Sequence, residues 1–276
     1  TCGMAKSKPI VVLVRIPDSV EYCRAVGIDI ETWMKQGLID IIVGSDYFRL
    51  NPWRDLAKAG HAVNVKVYAG LSEPRVNDEH PLLKRRQNAV YCARSAAAWQ
   101  AGVDGIYSFN EYATRNRYLS EIGHVEKLKN KNTLYFATYV NGKPDSYLKD
   151  GAGYATLPML TPSNPIPLDD QHVELEMEIG REEMAAQVAL LLYARPGKAA
   201  AIPAQLNGER LQLFKSTGDG LAVYAVPKTA VKAGKNVLTL GGVDSSAKQE
   251  LLDAALFFYR APDDAEMKEL AELCFR

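Results

Sequence analysis

Acidic, basic and aromatic side chains recur just after four apolar runs of this 276-residue chain. Arg15 and Asp18 follow the first run, and Asp46, Tyr47 and Arg49 follow the second. Ser72 and Glu73 follow the third, and Asn110, Glu111 and Tyr112 the fourth. Two carboxyl groups facing one ligand can divide the roles of general acid and general base. Arginine and asparagine can hold ligand oxygens, and tyrosines present ring faces for stacking.

Each of these residues also has a purely structural use. Glu73 can cap the turn before Pro74 or pair with Arg75. Asp46 follows Gly44-Ser45, where a backbone can approach a ligand closely, but it can equally close an Asx turn or cap a helix. Arg15 can pair with Asp18 or Asp46, and Asn110 can cap the turn that follows it. Trp53 on the first turn of a helix, and Trp33 and Trp99 at helical spacing, read as core.

Other chemistries lack local support. The four histidines, His61, His80, His124 and His172, are far apart, and none sits beside a Ser or Cys in a nucleophile motif. The four cysteines form no CxxC pair, and Cys23 and Cys92 fall in helical patterns, as buried thiols do. There is no P-loop and no GxGxxG, so no nucleotide, flavin or metal is expected as cofactor. Lys plus Arg and Asp plus Glu are 33 each, so net charge gives no reason to expect nucleic acid or an anionic membrane as partner. No stretch approaches 18 uncharged apolar residues, so no membrane-spanning helix is expected.

The elements that must position the candidates follow from periodicity. Residues 9–16 are a continuous β-branched run that suits a strand buried on both faces, and 39–44, 63–70 and 104–110 read as further strands. Helical patterns lie between them over 19–36, from Asn51-Pro52-Trp53 to Gly60, and over 81–101. Gly27 is expected to kink or divide the first helix. This β-α-β-α-β-α-β order predicts parallel strands with helical crossovers. A short helix around 118–130 and a proline-rich connection with a strand near 133–140 come next. From residue 172 the pattern changes: His172-Val-Glu-Leu-Glu-Met-Glu-Ile179 alternates strictly, and short strands recur over 186–194, 202–206, 210–214, 221–226, 236–240 and 254–260. Turns such as Asn207-Gly208 and Ala233-Gly234-Lys235 separate them, which predicts a β-sandwich. Residues 263–274 read as a short amphipathic helix.

Four local stretches carry a resemblance: Arg15-Ile16-Pro17-Asp18-Ser19, Gly37-Leu38-Ile39-Asp40, Tyr47-Phe48-Arg49-Leu50-Asn51-Pro52-Trp53, and Ala101-Gly102-Val103-Asp104-Gly105-Ile106 with Phe109-Asn110-Glu111-Tyr112. Together, over roughly residues 8–130, they resemble the C-terminal half of a TIM barrel of the glycoside-hydrolase-like kind found in polysaccharide-degrading bacteria. The later stretches Leu206-Asn207-Gly208-Glu209 and Val231-Lys232-Ala233-Gly234-Lys235-Asn236-Val237-Leu238 resemble the galactose-binding-like jelly rolls attached to many glycosidases. The implied fold class is α/β plus all-β: a partial β/α barrel over 1–132, a connection over 133–170, a β-sandwich over 171–262 and a helix over 263–276.

The resemblance implies glycoside hydrolysis by two carboxyl groups, with carbohydrate as partner. If the four parallel strands are strands five to eight of a barrel, Glu73 lies just beyond strand seven, where many barrel glycosidases carry the nucleophile. Glu73 and Asp46 are then the catalytic candidates. Arg15, Asp18, Tyr47, Arg49, Asn110, Glu111 and Tyr112 are the substrate-binding ones. The usual acid/base follows strand four, which has no counterpart here, because four strands cannot close a barrel of about 250 residues. The expectation is therefore a C-terminal part of a longer protein, with completion by an upstream segment or by self-association, and little or no turnover by this chain alone. The competing expectation is a carbohydrate-binding or scaffolding protein with a degenerate barrel.

Overall fold

The computed structural model describes residues 4–5, 8–44, 47–110, 117–140, 143–169, 172–182, 185, 187–196, 202–241, 249–260 and 264–276. It is mixed α/β with several sheets, most of them antiparallel. Contacts divide the chain into two compact units. The first comprises residues 1–75, 101–114 and 140–157, and the second comprises 76–100, 115–139 and 158–276.

The first unit begins with a two-strand hairpin, β1 (Met4–Ala5) and β2 (Lys8–Pro9). It is built on a parallel sheet of β3 (Leu13–Ile16), β4 (Ile41–Gly44), β5 (Lys66–Ser72) and β6 (Gly105–Phe109), in that order. The pairing defines an open sheet with β3 and β6 at its edges. Between β3 and β4 the expected single helix is two, α1 (Val20–Ala25) and α2 (Ile30–Lys35). Ser19 caps α1 by accepting the Tyr22 N–H, and Asp29 caps α2 by accepting that of Thr32. Gly27 divides them with φ +85°, a conformation that favours glycine. Helix α3 (Trp53–His61) follows β4 and lies so close to β4 and β5 that a Cβ on Gly60 would come within 2.4 Å of Val67 and 2.9 Å of the Val65 carbonyl oxygen.

Two aspartates set the register where strands begin. Asp40 Oδ2, just before β4, accepts the N–H of Val12 at 2.7 Å. Asp104 Oδ2, just before β6, accepts the N–H of Val67 at 2.8 Å and meets His61 Nε2 at 2.8 Å. The Gly37-Leu38-Ile39-Asp40 and Gly102-Val103-Asp104 stretches are thus strand-entry devices, each opened by a glycine at positive φ.

In the second unit, β7 (Thr133–Phe136), β8 (Ile166–Leu168), β10 (Gln187–Arg195), β13 (Gln212–Ser216), β14 (Leu221–Ala225) and β16 (Gln249–Tyr259) form one antiparallel sheet. A second sheet contains β9 (Val173–Ile179), β11 (Ala204–Leu206), β12 (Glu209–Arg210) and β15 (Gly234–Leu240). One core joins their inner faces, with Leu175, Met177 and Leu238 from one sheet and Leu190, Leu192, Leu256 and Phe258 from the other. Two antiparallel sheets thus share one core in the stretch where the alternation at 172–179 predicts a β-sandwich. Its two turn signatures meet: Asn207 Nδ2 donates to Asn236 Oδ1 at 2.7 Å, and Asn207 Oδ1 accepts the Val237 N–H at 3.0 Å. Asn236 is fully buried and also accepts the Lys232 N–H. These two asparagines therefore serve the fold.

Helix α4 (Asn88–Gln100), between β5 and β6 in sequence, packs on β7 and β9 of this second unit. Ala96 lies so close to Gly180 that a Cβ there would stand 2.5 Å away. Helices α5 (Val125–Leu128) and α6 (Lys268–Phe275) complete the unit.

Candidate functional site

The carboxyl ends of β3–β6 gather side chains from four strands and one later segment. Arg15 is on β3, Tyr47 follows β4, Glu73 and Arg75 follow β5, and Phe109 ends β6. Tyr147 comes from the 140–157 segment of the same unit. The Tyr47 ring lies 6.1 Å from Phe109 and 6.2 Å from Tyr147, the latter nearly parallel at 24°. The Arg15 guanidinium carbon is 3.8 Å from the Phe109 ring centroid and 6.0 Å from that of Tyr47. That of Arg75 is 4.1 Å from the Tyr47 centroid. Arg15, Arg75 and Tyr147 are exposed, and Tyr47 and Phe109 half-buried. The arrangement offers ring faces interleaved with cations, which can stack on a flat ligand and donate to its oxygens.

The loop carrying Tyr47 is held from below. Asp18 is buried, and its Oδ1 accepts the Leu50 N–H at 3.0 Å. Its Oδ2 accepts the N–H groups of Leu50 and Asn51, each at 3.1 Å. Burial pushes the Asp18 carboxyl up to about 6, against the opposing pull of Arg49 and of these amides. Arg49 Nε lies 3.9 Å from Asp18 Oδ2, and the Arg49 guanidinium sits 4.3 Å from the Trp53 ring centroid. Phe48 packs on Tyr22, whose hydroxyl donates to the Pro144 carbonyl at 3.1 Å. Phe48 also lies 5.8 Å from Tyr147. The segment bearing Tyr147 is thereby tied to α1 and to the loop after β4.

The expected site residues are distributed accordingly. Arg15 and Tyr47 belong to the ring-and-cation cluster. Asp18 holds the loop from beneath, and Arg49, within the loop, lies against Asp18 and the Trp53 ring. Glu73 is exposed one residue past the end of β5, and Asn110 is exposed one residue past β6, with φ +55°. Asp46, Glu111 and Tyr112 lie outside the described residues. Three members of the cluster were not sequence candidates. In the sequence Arg75 reads only as a partner for Glu73, and Phe109 as the last apolar residue of a strand. Tyr147 sits in a proline-rich connection that shows no periodicity. No group of three or more His, Cys, Asp or Glu side chains able to hold a metal occurs among the described residues. Cys23, Cys92 and Cys274 are buried free thiols.

No protein-family profile matches the chain, and no curated protein matches it. Among solved structures it is similar in part to BpGH86A, a beta-porphyranase of glycoside hydrolase family 86 from the human gut bacterium Bacteroides plebeius. Identity there is 16%, the TM-score is 0.30, and the match covers 34% of this chain and 18% of that one. Two structures of BuGH86 in complex with neoagarooctaose match at 17% and 16% identity, each with a TM-score of 0.27 and 34% of this chain covered. They are covered over 17% and 16% of their own length. The chain therefore spans less than a fifth of each of these proteins.

Proposed function

We propose that the first unit binds a poly- or oligosaccharide at the carboxyl ends of its parallel strands. One observation carries the reading: Tyr47, Phe109 and Tyr147 are grouped with Arg15 and Arg75 at that end of the sheet, the end where β/α folds place their ligands. Sugars present apolar ring faces edged by hydroxyls, and mixed aromatic and polar surfaces match them. The successive order of the four parallel strands supports the further reading that this sheet is part of a β/α barrel. The β-sandwich is then an accessory domain, of the galactose-binding-like kind its turn stretches resemble.

Hydrolysis is a second reading, favoured by the position of Glu73 one residue beyond β5. It needs another carboxyl group about 5 to 10 Å from Glu73. Asp18, the other described carboxylate of the strand-end set, is committed to the backbone of Leu50 and Asn51. In this reading the second carboxyl is Asp46, Glu111 or one from outside the chain, and only in the last case does the chain by itself bind without turnover. Affinity electrophoresis of the chain through gels containing a panel of polysaccharides tests the binding claim. Retardation by at least one glycan, lost in Tyr47→Ala, is expected. Equal mobility in every gel would end the proposal. Release of reducing ends, abolished by Glu73→Gln, would decide for the enzyme.

A further inference from the structure

Arg75 combines features that its fold-building neighbours do not share. Its backbone lies in the left-handed region at φ +56°, a conformation costly for a residue with a Cβ and long side chain. The bend follows Pro74 and directs the side chain over the Tyr47 ring, 4.1 Å from its centroid. The side chain is exposed, and among the described residues no carboxylate pairs with it. Where Asn110 and Asp150 adopt similar angles, their short side chains tolerate them; an arginine does so only under constraint. A guanidinium lying on a ring keeps its planar edge of N–H donors for a carboxylate or sulfate, which it can meet with two parallel hydrogen bonds.

We propose that Arg75 is an anion-binding residue of the saccharide site, and that the glycan it takes carries carboxylate or sulfate groups. The proposal rests on the carbohydrate reading above and adds its substrate class. Arg15, whose guanidinium lies over Phe109, stands at the same strand ends, and Arg49 is held by Asp18 and Trp53. The charged group of the ligand is placed on the Arg75–Tyr47 side.

The test uses the full 276-residue chain, as wild type and as Arg75→Gly, with matched pairs of ligands. One pair is polygalacturonate and its methyl ester, and the other a sulfated galactan and its desulfated form. Wild type should bind one charged form at least about tenfold more tightly than its neutralised partner. The preferred pair distinguishes carboxylate from sulfate. Arg75→Gly should lose that preference with an unchanged or raised thermal midpoint, because glycine adopts positive φ without strain. Equal binding of charged and neutralised forms by the wild type overturns the anion proposal while leaving the carbohydrate reading intact. Wild-type affinity in Arg75→Gly does the same. Failure to bind any of the four glycans overturns the anion proposal, whereas the carbohydrate reading falls only if no glycan of the wider panel retards the chain.

Discussion

The carboxylate of buried Asp18 accepts the backbone N–H of Leu50, 32 residues along the chain, at 3.0 Å. That contact, with its companion at Asn51, joins the end of β3 to the loop that carries Tyr47, Phe48 and Arg49. It makes Asp18 a positioning residue for the ring-and-cation cluster. Because burial raises its folded-state value to about 6, above the value near 4 of an unfolded aspartate, the folded chain holds this proton more tightly. Stability from this group is full below about pH 4 and falls as the pH rises through 6. Asp253, also raised to about 6 by burial, acts in the same sense. The unfolding free energy of Asp18→Asn minus that of the wild type should therefore grow between pH 4 and pH 7, by up to about 3 kcal/mol. Denaturant titrations at the two pH values measure it, and a difference that does not change with pH counts against the assignment.

Gly60 sets helix propensity against packing. Alanine in a helix interior is favoured over glycine by about 1 kcal/mol. At this position the added Cβ meets Val67 at 2.4 Å and the Val65 carbonyl at 2.9 Å, and backbone cannot easily yield. Overpacking costs of about 1–3 kcal/mol should win. Gly60→Ala is expected to lower the thermal midpoint, and a raised midpoint would show that α3 can move off the sheet at little cost.

Tyr147 separates binding from folding. Its side chain is 56% exposed, so Tyr147→Ala should cost about 1 kcal/mol of stability or less, mostly from the rings of Tyr47 and Phe48. Glycan affinity should fall by about fivefold or more. Calorimetric titration with whichever glycan retards the wild type supplies the number, and undiminished affinity places Tyr147 outside the site.

Arg85 is the corresponding structural control in the second unit. It is fully buried, pairs with Asp78 at 2.5 Å and Asp253 at 2.7 Å, donates to the Thr138 carbonyl and lies on the Phe136 ring. Arg85→Met leaves two carboxylates without their cation and should cost about 3–5 kcal/mol at pH 7. The cost should shrink toward pH 5, where Asp253 takes up a proton. A change below about 1 kcal/mol at pH 7 would contradict this account of the buried cluster.

Much of the architecture was legible because it rests on local physics. The β-branched runs at 9–16 and 39–44 contain β3 and β4, Gly27 splits its helix at positive φ, and the alternation of 172–179 is that of β9. The packing partner of α4 was not legible. Residues Ala89–Ala98 are all buried, so this alanine-rich helix has no polar face to orient it toward either unit. At the site, charge type could be read but not direction. Asp18 and Arg15 look alike as strand-end charges. Yet Asp18 turns inward to backbone amides 32 and 33 residues away, while Arg15 lies on Phe109. Such long-range hydrogen bonds and the left-handed bend at Arg75 leave no periodic trace in a sequence.

The central claim concerns place: carbohydrate binds the first unit at the carboxyl ends of β3–β6. Amide hydrogen exchange of the full chain, with and without a retarding glycan, tests it most directly. Protection is predicted at residues 47–51, 73–75, 109–110 and 146–148, with the two antiparallel sheets of the second unit unchanged. Protection confined to the strands of the second unit, with those four segments unaffected, would contradict the account.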